Sequence, residues 1–225
     1  MLFIDSLKTY AYSLWDASIV FPDQLRKTIR TPFKQQVGLN SIIKGMSAAA
    51  HSGLAITTTP EDHYWSYNVT TGVDEGGNLV QSILTTVNLL REATVQNDHG
   101  RMAAVCGRLS HLIIDGFVLL HTINFEPDGV TVRGRLVSDI ETHSDTLPFL
   151  WEAIEHGDNF TLSSPLLDDA AIRISLNEGR QSMLQVANCY LYGNGWPAAR
   201  GTVQKNYNFA TNLLAKTVLT VVNGA

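Results

Sequence analysis

From Leu112 to Leu120 the chain is apolar or glycine at every position except one, the carboxylate of Asp115. A carboxylate in such a run is costly to bury unless it is paired, hydrogen-bonded or bound to a metal. The run therefore demands a fold that encloses a helix and gives Asp115 a partner. His111 stands four residues before Asp115, on the same helical face. His121 follows, roughly 80° from His111 in azimuth and about 15 Å farther along the axis of an ideal helix. A single ion with ligand bonds near ~2 Å cannot take both histidines on a straight helix. Two arrangements fit. Either His111 and Asp115 serve one metal and His121 a neighbouring one, or His111 and Asp115 form a buried ion pair and His121 ends the helix.

The rest of the chain is long and apolar enough to enclose such a helix: 225 residues, 44% hydrophobic, 16% charged, formal net charge −5. That balance excludes disorder for the bulk of the sequence. No apolar run reaches the roughly 20 residues of a membrane span, so no transmembrane segment is expected. Mild acidity without a basic run argues against holding duplex DNA by charge. Two cysteines, Cys106 and Cys189, make neither a disulfide framework nor a thiolate zinc site. Met1 to Asp16 places Asp5 and Lys8 among its apolar residues and lacks a small-residue cleavage site, so it does not read as a signal peptide. The compartment stays open.

Apolar periodicity predicts an all-α chain. Helices are expected over 37–56, 78–93, 99–122, 139–156, 167–192 and 199–221. Leu79, Val80, Ile83, Leu84, Val87 and Leu90 form one stripe; Val203, Tyr207, Ala210, Leu214 and Val218 form another. Asn97-Asp98 is the expected N-cap of the helix carrying His111. Residues 57–77, rich in Thr, Asn and Gly, read as loop. Pro127-Asp128-Gly129 followed by Val130 to Leu136 reads as a turn and a short extended insertion around 123–137. Residues 1–36 form an N-terminal arm or a short helix between Pro22 and Pro32, ahead of a helical core over 37–222. No Gly/Ser- or Pro-rich linker divides the chain, so a single helical domain over 1–225 is expected.

His111-x3-Asp115-x5-His121 in a long apolar helix resembles the bacterial zinc-dependent phospholipase C family and, equally, the single-strand-specific zinc nucleases that share its all-helical fold. Asp62-His63-Tyr64-Trp65 extends the likeness, since His63 lies 48 residues before His111, the separation at which that family carries its own histidine-aromatic-aromatic turn. Residues 63–124 carry the resemblance. It implies a multi-helix bundle of the phospholipase C type with a cleft of up to three zinc ions. His63, His111 and Asp115 then look like ligands of one metal, with Asp115 able to bridge to a second, and His121 like the first ligand of another. The family's next ligands would be a histidine and, four residues later, an acid. Here the next histidine is His143, Leu147 stands in the place of the acid, and Asp145 and Glu152 are the nearest substitutes. His51 is the candidate for the family's early histidine, although it stands too close to His63. Ala49 falls where an upstream aspartate is expected, and Met1-Leu2 where a leading Trp is expected.

The resemblance implies metal-assisted hydrolysis of a phosphoester, with clustered zinc, one to three ions, activating water. Asp115 is the bridging carboxylate and Asp62 the nominal general base. Substrates would be phospholipid or single-stranded nucleic acid, with Tyr64 or Trp65 as a stacking platform for bases. Relatives of this type are usually secreted. The missing ligands support a different expectation: a catalytically degenerate structural or self-assembling protein that keeps the fold with one metal or none.

Overall fold

The computed structural model describes residues 7–35, 60–68, 73–118, 122, 129–143 and 164–224. Those residues form seven α-helices, α1 (Leu7–Ala17), α2 (Asp23–Gln35), α3 (Leu79–Val95), α4 (His99–Phe117), α5 (Gly129–His143), α6 (Asp169–Tyr192) and α7 (Trp196–Gly224). Two short strands, β1 (Ser66–Asn68) and β2 (Val73–Gly76), pair antiparallel with Tyr67 opposite Asp74 and Asn68 opposite Val73. The class is all-α, as the periodicity predicts. No helix among the described residues is long and apolar enough to cross a membrane.

Helix α4 is the axis of the fold. It packs against α1, α2, α3, α6 and α7, and from Leu112 to Val118 every residue is buried. A helix apolar nearly all round has to be enclosed in this way. Its start is fixed by Asp98, whose side chain accepts the Arg101 N–H at 3.0 Å, so the expected N-cap is formed. The seam between α4 and α6 is reciprocal. A Cβ on Gly116 would stand 2.6 Å from Leu176 Cδ2, and one on Gly179 would stand 2.5 Å from the Phe117 ring. Glycine at these two places lets the helices close on each other's side chains. The stripes on α3 and α7 face the same interior: Leu79, Ile83, Val87 and Leu90 are buried, as are Val203, Tyr207, Ala210, Leu214 and Val218.

Residues 7–35 are not a loose arm. Tyr10, Leu14 and Ala17 of α1, Phe21 of the connecting turn, and Leu25 and Ile29 of α2 all join the core. The i, i+4 pairs Tyr10/Leu14 and Leu25/Ile29 supply one apolar face per helix. Helix α2 runs past Pro32 to Gln35; the ring removes one N–H near the helix end without stopping it. Buried polar contacts fasten α1 to α7, with Tyr207 Oη donating to Asp16 Oδ2 at 2.9 Å and the Ser13 and Thr211 hydroxyls 3.0 Å apart.

The extended insertion expected around 123–137 is corrected from Gly129 onward, where α5 forms instead. Val132, Leu136 and Ile140 are buried at intervals of four, so one helical face outweighs the local alternation that suggested a strand. The helix expected over 139–156 is represented by the end of α5 at His143, with its remainder outside the described residues. The helix expected over 37–56 lies outside them too. Within 57–77 a 3-10 turn, Pro60–His63, and the two strands replace the expected featureless loop.

Candidate metal centre

Asp115 sits on the buried side of α4 with 0% of its side chain exposed. Tyr10, His63 and His111 meet its two oxygens. Tyr10 Oη, reaching across from α1, donates to Oδ1 at 2.7 Å. His63 Nδ1 is hydrogen-bonded to Oδ2 at 2.8 Å, and His111 Nε2 lies 3.2 Å from that same oxygen. The i, i+4 step along α4 brings His111 to Asp115, as the sequence requires. The two imidazole rings are neighbours, with centroids 4.8 Å apart and planes inclined at 43°. Tyr10 also packs on His111, stacked at 4.2 Å and 16°.

His63 reaches this point because its turn is stitched to the start of α3. The Asn78 N–H donates to Glu61 O at 2.7 Å, and the Leu79 N–H donates to Tyr64 O at 3.2 Å. Gly77 makes the stitch possible. Its φ is +109°, and a Cβ there would fall 2.1 Å from Tyr64 O, so no other residue fits without moving the turn. Asp62 secures the opposite side, accepting from Ser82 Oγ at 2.9 Å. It also faces Arg108, whose guanidinium is pulled below its ordinary pKa by burial, an effect that the Asp62 charge opposes. Arg108 in turn donates to Thr86 Oγ1 at 3.1 Å.

The donor set could hold a metal ion. One ligand atom from each of His63, His111 and Asp115 lies within 4.8 Å of the others, and a tetrahedral ion with ~2 Å bonds needs ligand atoms roughly 3.3 Å apart. His111 Nε2 is the telling atom: it is buried and makes no hydrogen bond, its 3.2 Å approach to Asp115 lying off the donor line. A buried nitrogen left in this way is ordinarily satisfied by something else. The imidazoles keep 21% and 28% of their side-chain surface exposed, although His111 Nε2 itself is buried, and the Asp115 carboxylate is fully buried beneath them.

The other expected residues are distributed differently. Asp62 is adjacent in sequence but turned toward Ser82 and Arg108. His143 ends α5 and stacks on Trp196 at 5.1 Å and 6°, apart from the His63–His111–Asp115 group. His51, His121, Asp145 and Glu152 lie outside the described residues. Trp65, a candidate base platform, is 5% exposed and has Arg180 and Arg173 over its ring at 4.4 and 5.4 Å, so it works as packing. The residue that sequence reasoning missed is Tyr10. It is 105 positions from Asp115, in a stretch whose structure the periodicity leaves open, and no local signal ties the two.

No protein-family model matches this chain, and no curated protein or solved structure is significantly similar to it.

Proposed function

We propose that this chain is a metal-dependent phosphoester hydrolase of the zinc type, with His63, His111 and Asp115 holding the ion. The observation that supports the reading is His111 Nε2, buried without a hydrogen bond and 3.2 Å from a carboxylate oxygen that a second imidazole already shares. Three protein ligands leave a fourth position for water or substrate, the pattern of catalytic rather than structural zinc sites. A bound zinc ion supplies Lewis acidity toward water and toward a phosphoryl oxygen. The chain's own residues do the rest. Asp115 presents Oδ2 to the ion and keeps Oδ1 on Tyr10. His63 and His111 would hold the ion through their ring nitrogens, and the partly exposed edges of their rings are where a phosphodiester would approach. Asp62, tied to Ser82 and Arg108, holds the His63 turn in place rather than meeting substrate. Phospholipid and single-stranded nucleic acid remain the two substrate classes that the resemblance offers.

A second reading rests on Tyr10. Because Tyr10 and His63 both already bond Asp115, the cluster also works as a closed polar network that stabilises the fold without an ion. Metal content per chain, measured by elemental mass spectrometry on protein purified without chelator, separates the two. Zinc near one equivalent or above, lost in His111→Ala and in Asp115→Ala, is expected of the metal site, and hydrolysis of a bis-aryl phosphodiester by that protein then separates the hydrolase from a degenerate protein that keeps one metal. Metal-free wild type, with both variants merely less stable, would leave the network reading in its place.

A further inference from the structure

We infer that Tyr10 is a positioning residue of this centre, setting both the number of Asp115 oxygens offered to the ion and the aim of the His111 ring. The inference rests on the metal-site reading above and deepens it. A carboxylate offers a cation either one oxygen or two, and the choice changes coordination number and geometry. Here the choice is made by α1. The Tyr10 hydroxyl holds Oδ1 at 2.7 Å, and Oδ2 is the oxygen that lies 2.8 and 3.2 Å from His63 Nδ1 and His111 Nε2. The same residue sets the imidazole: its ring lies 4.2 Å from that of His111 and within 16° of parallel, so His111 cannot rotate about its terminal torsion without losing that stack. The backbone of Tyr10 is referenced to the same turn of α4, since Ser110 Oγ donates to Tyr10 O at 3.0 Å.

One residue of α1 thus touches three consecutive features of the ligand helix: the residue before His111, the His111 ring and the Asp115 carboxylate. A buried phenol needs an acceptor somewhere, and packing alone would be served by any carbonyl. What distinguishes Tyr10 is that its acceptor is the non-ligating oxygen of the proposed ligand while its ring face sets a second ligand. Helix α1 is itself held on α7 through Ser13–Thr211 and Asp16–Tyr207, so the constraint is anchored in the core. Outer partners of ligating side chains typically change metal affinity by about 10–100-fold when removed.

The test is titration of the full chain with Co²⁺, followed by visible absorption, and with Zn²⁺ against a competing chelator, for wild type, Tyr10→Phe and Ser110→Ala. Tyr10→Phe keeps the ring and removes only the hydroxyl. The expected result is Zn²⁺ affinity weakened by about 10–100-fold and a fall in Co²⁺ visible intensity as Asp115 turns to offer both oxygens. Ser110→Ala, which keeps the hydroxyl, is expected to move affinity and spectrum the same way by less. A Tyr10→Phe protein that binds both ions as wild type does, with an unchanged Co²⁺ spectrum, overturns the inference while leaving the metal site standing. Should Tyr10→Phe fail to fold by circular dichroism, Ser110→Ala decides, and an unchanged Co²⁺ spectrum there overturns it equally. Wild type that takes up neither Co²⁺ nor Zn²⁺ overturns the metal-site reading itself.

Discussion

Asp16 and Asp115 are both buried carboxylates in one core, and they are accommodated in different ways. Asp115 is surrounded by a phenol and two imidazoles, whereas Asp16 has the Tyr207 hydroxyl at 2.9 Å and the Arg30 charge nearby. For Asp16 the cost of burial prevails over both, and its carboxyl is pushed up from 3.8 to about 7. The sign follows from linkage. The folded state favours the neutral acid, so this contribution to stability is fully present below about pH 3.8 and is lost as pH rises through about 7. The loss attributable to Asp16 is on the order of 4 kcal/mol at most. Urea unfolding across that window should show a declining component in wild type that is absent in Asp16→Asn. Equal pH profiles for the two proteins would assign the decline elsewhere.

Among the elements, those whose apolar stripe repeats cleanly are the ones that sequence reading located. Helices α3, α4, α6 and α7 lie close to the spans expected for them, because one face of each had to be apolar to be buried. The end of α4 is nearer than expected: residues 99–122 read as one helix, and the regular helix stops at Phe117. Val130 to Leu136 alternates as well as it spirals, so its sequence alone suggests a strand, and only the partner faces on α6 and α1 select the helix. Two predictions belong here. Asp98→Ala removes the α4 cap and should lower stability by about 1 kcal/mol in chemical denaturation. Gly77→Ala should do more, about 1–3 kcal/mol, since its Cβ would collide with Tyr64 O. If the stitch to α3 is what sets His63, that variant will also bind zinc more weakly, and an unchanged zinc affinity would show that the turn finds its place without it.

For the molecule as a whole, the candidate site and the core are one structure. Tyr10, Leu112, Ile113 and Ile114 are members of the same buried cluster as Leu214 and Val218 of α7. Leu214→Ala, which empties a fully buried site, should cost about 2–5 kcal/mol. Metal binding should register globally for the same reason. If the proposed site takes zinc, free Zn²⁺ at about 100 times its Kd will add about 2.7 kcal/mol to the folded state, visible as a rise in Tm that chelator reverses. His111→Ala should abolish the rise while folding normally. A comparable rise in that variant would mean that zinc acts elsewhere on the chain.

Sequence alone determined the helical class, the central helix and the pairing of His111 with Asp115, because a four-residue step on a helix fixes neighbours locally and an apolar run around a carboxylate fixes its burial. The place of His63 was legible only by resemblance. What the tertiary structure decided is which distant groups meet that pair. Gly77 and the start of α3 bring in His63, α1 brings in Tyr10, and Ser82 donates a hydrogen bond to Asp62. Such meetings depend on how helices stack across the core, and contacts between residues 52 and 105 positions apart leave no periodic trace in the chain, since each partner's local pattern is satisfied by burial alone.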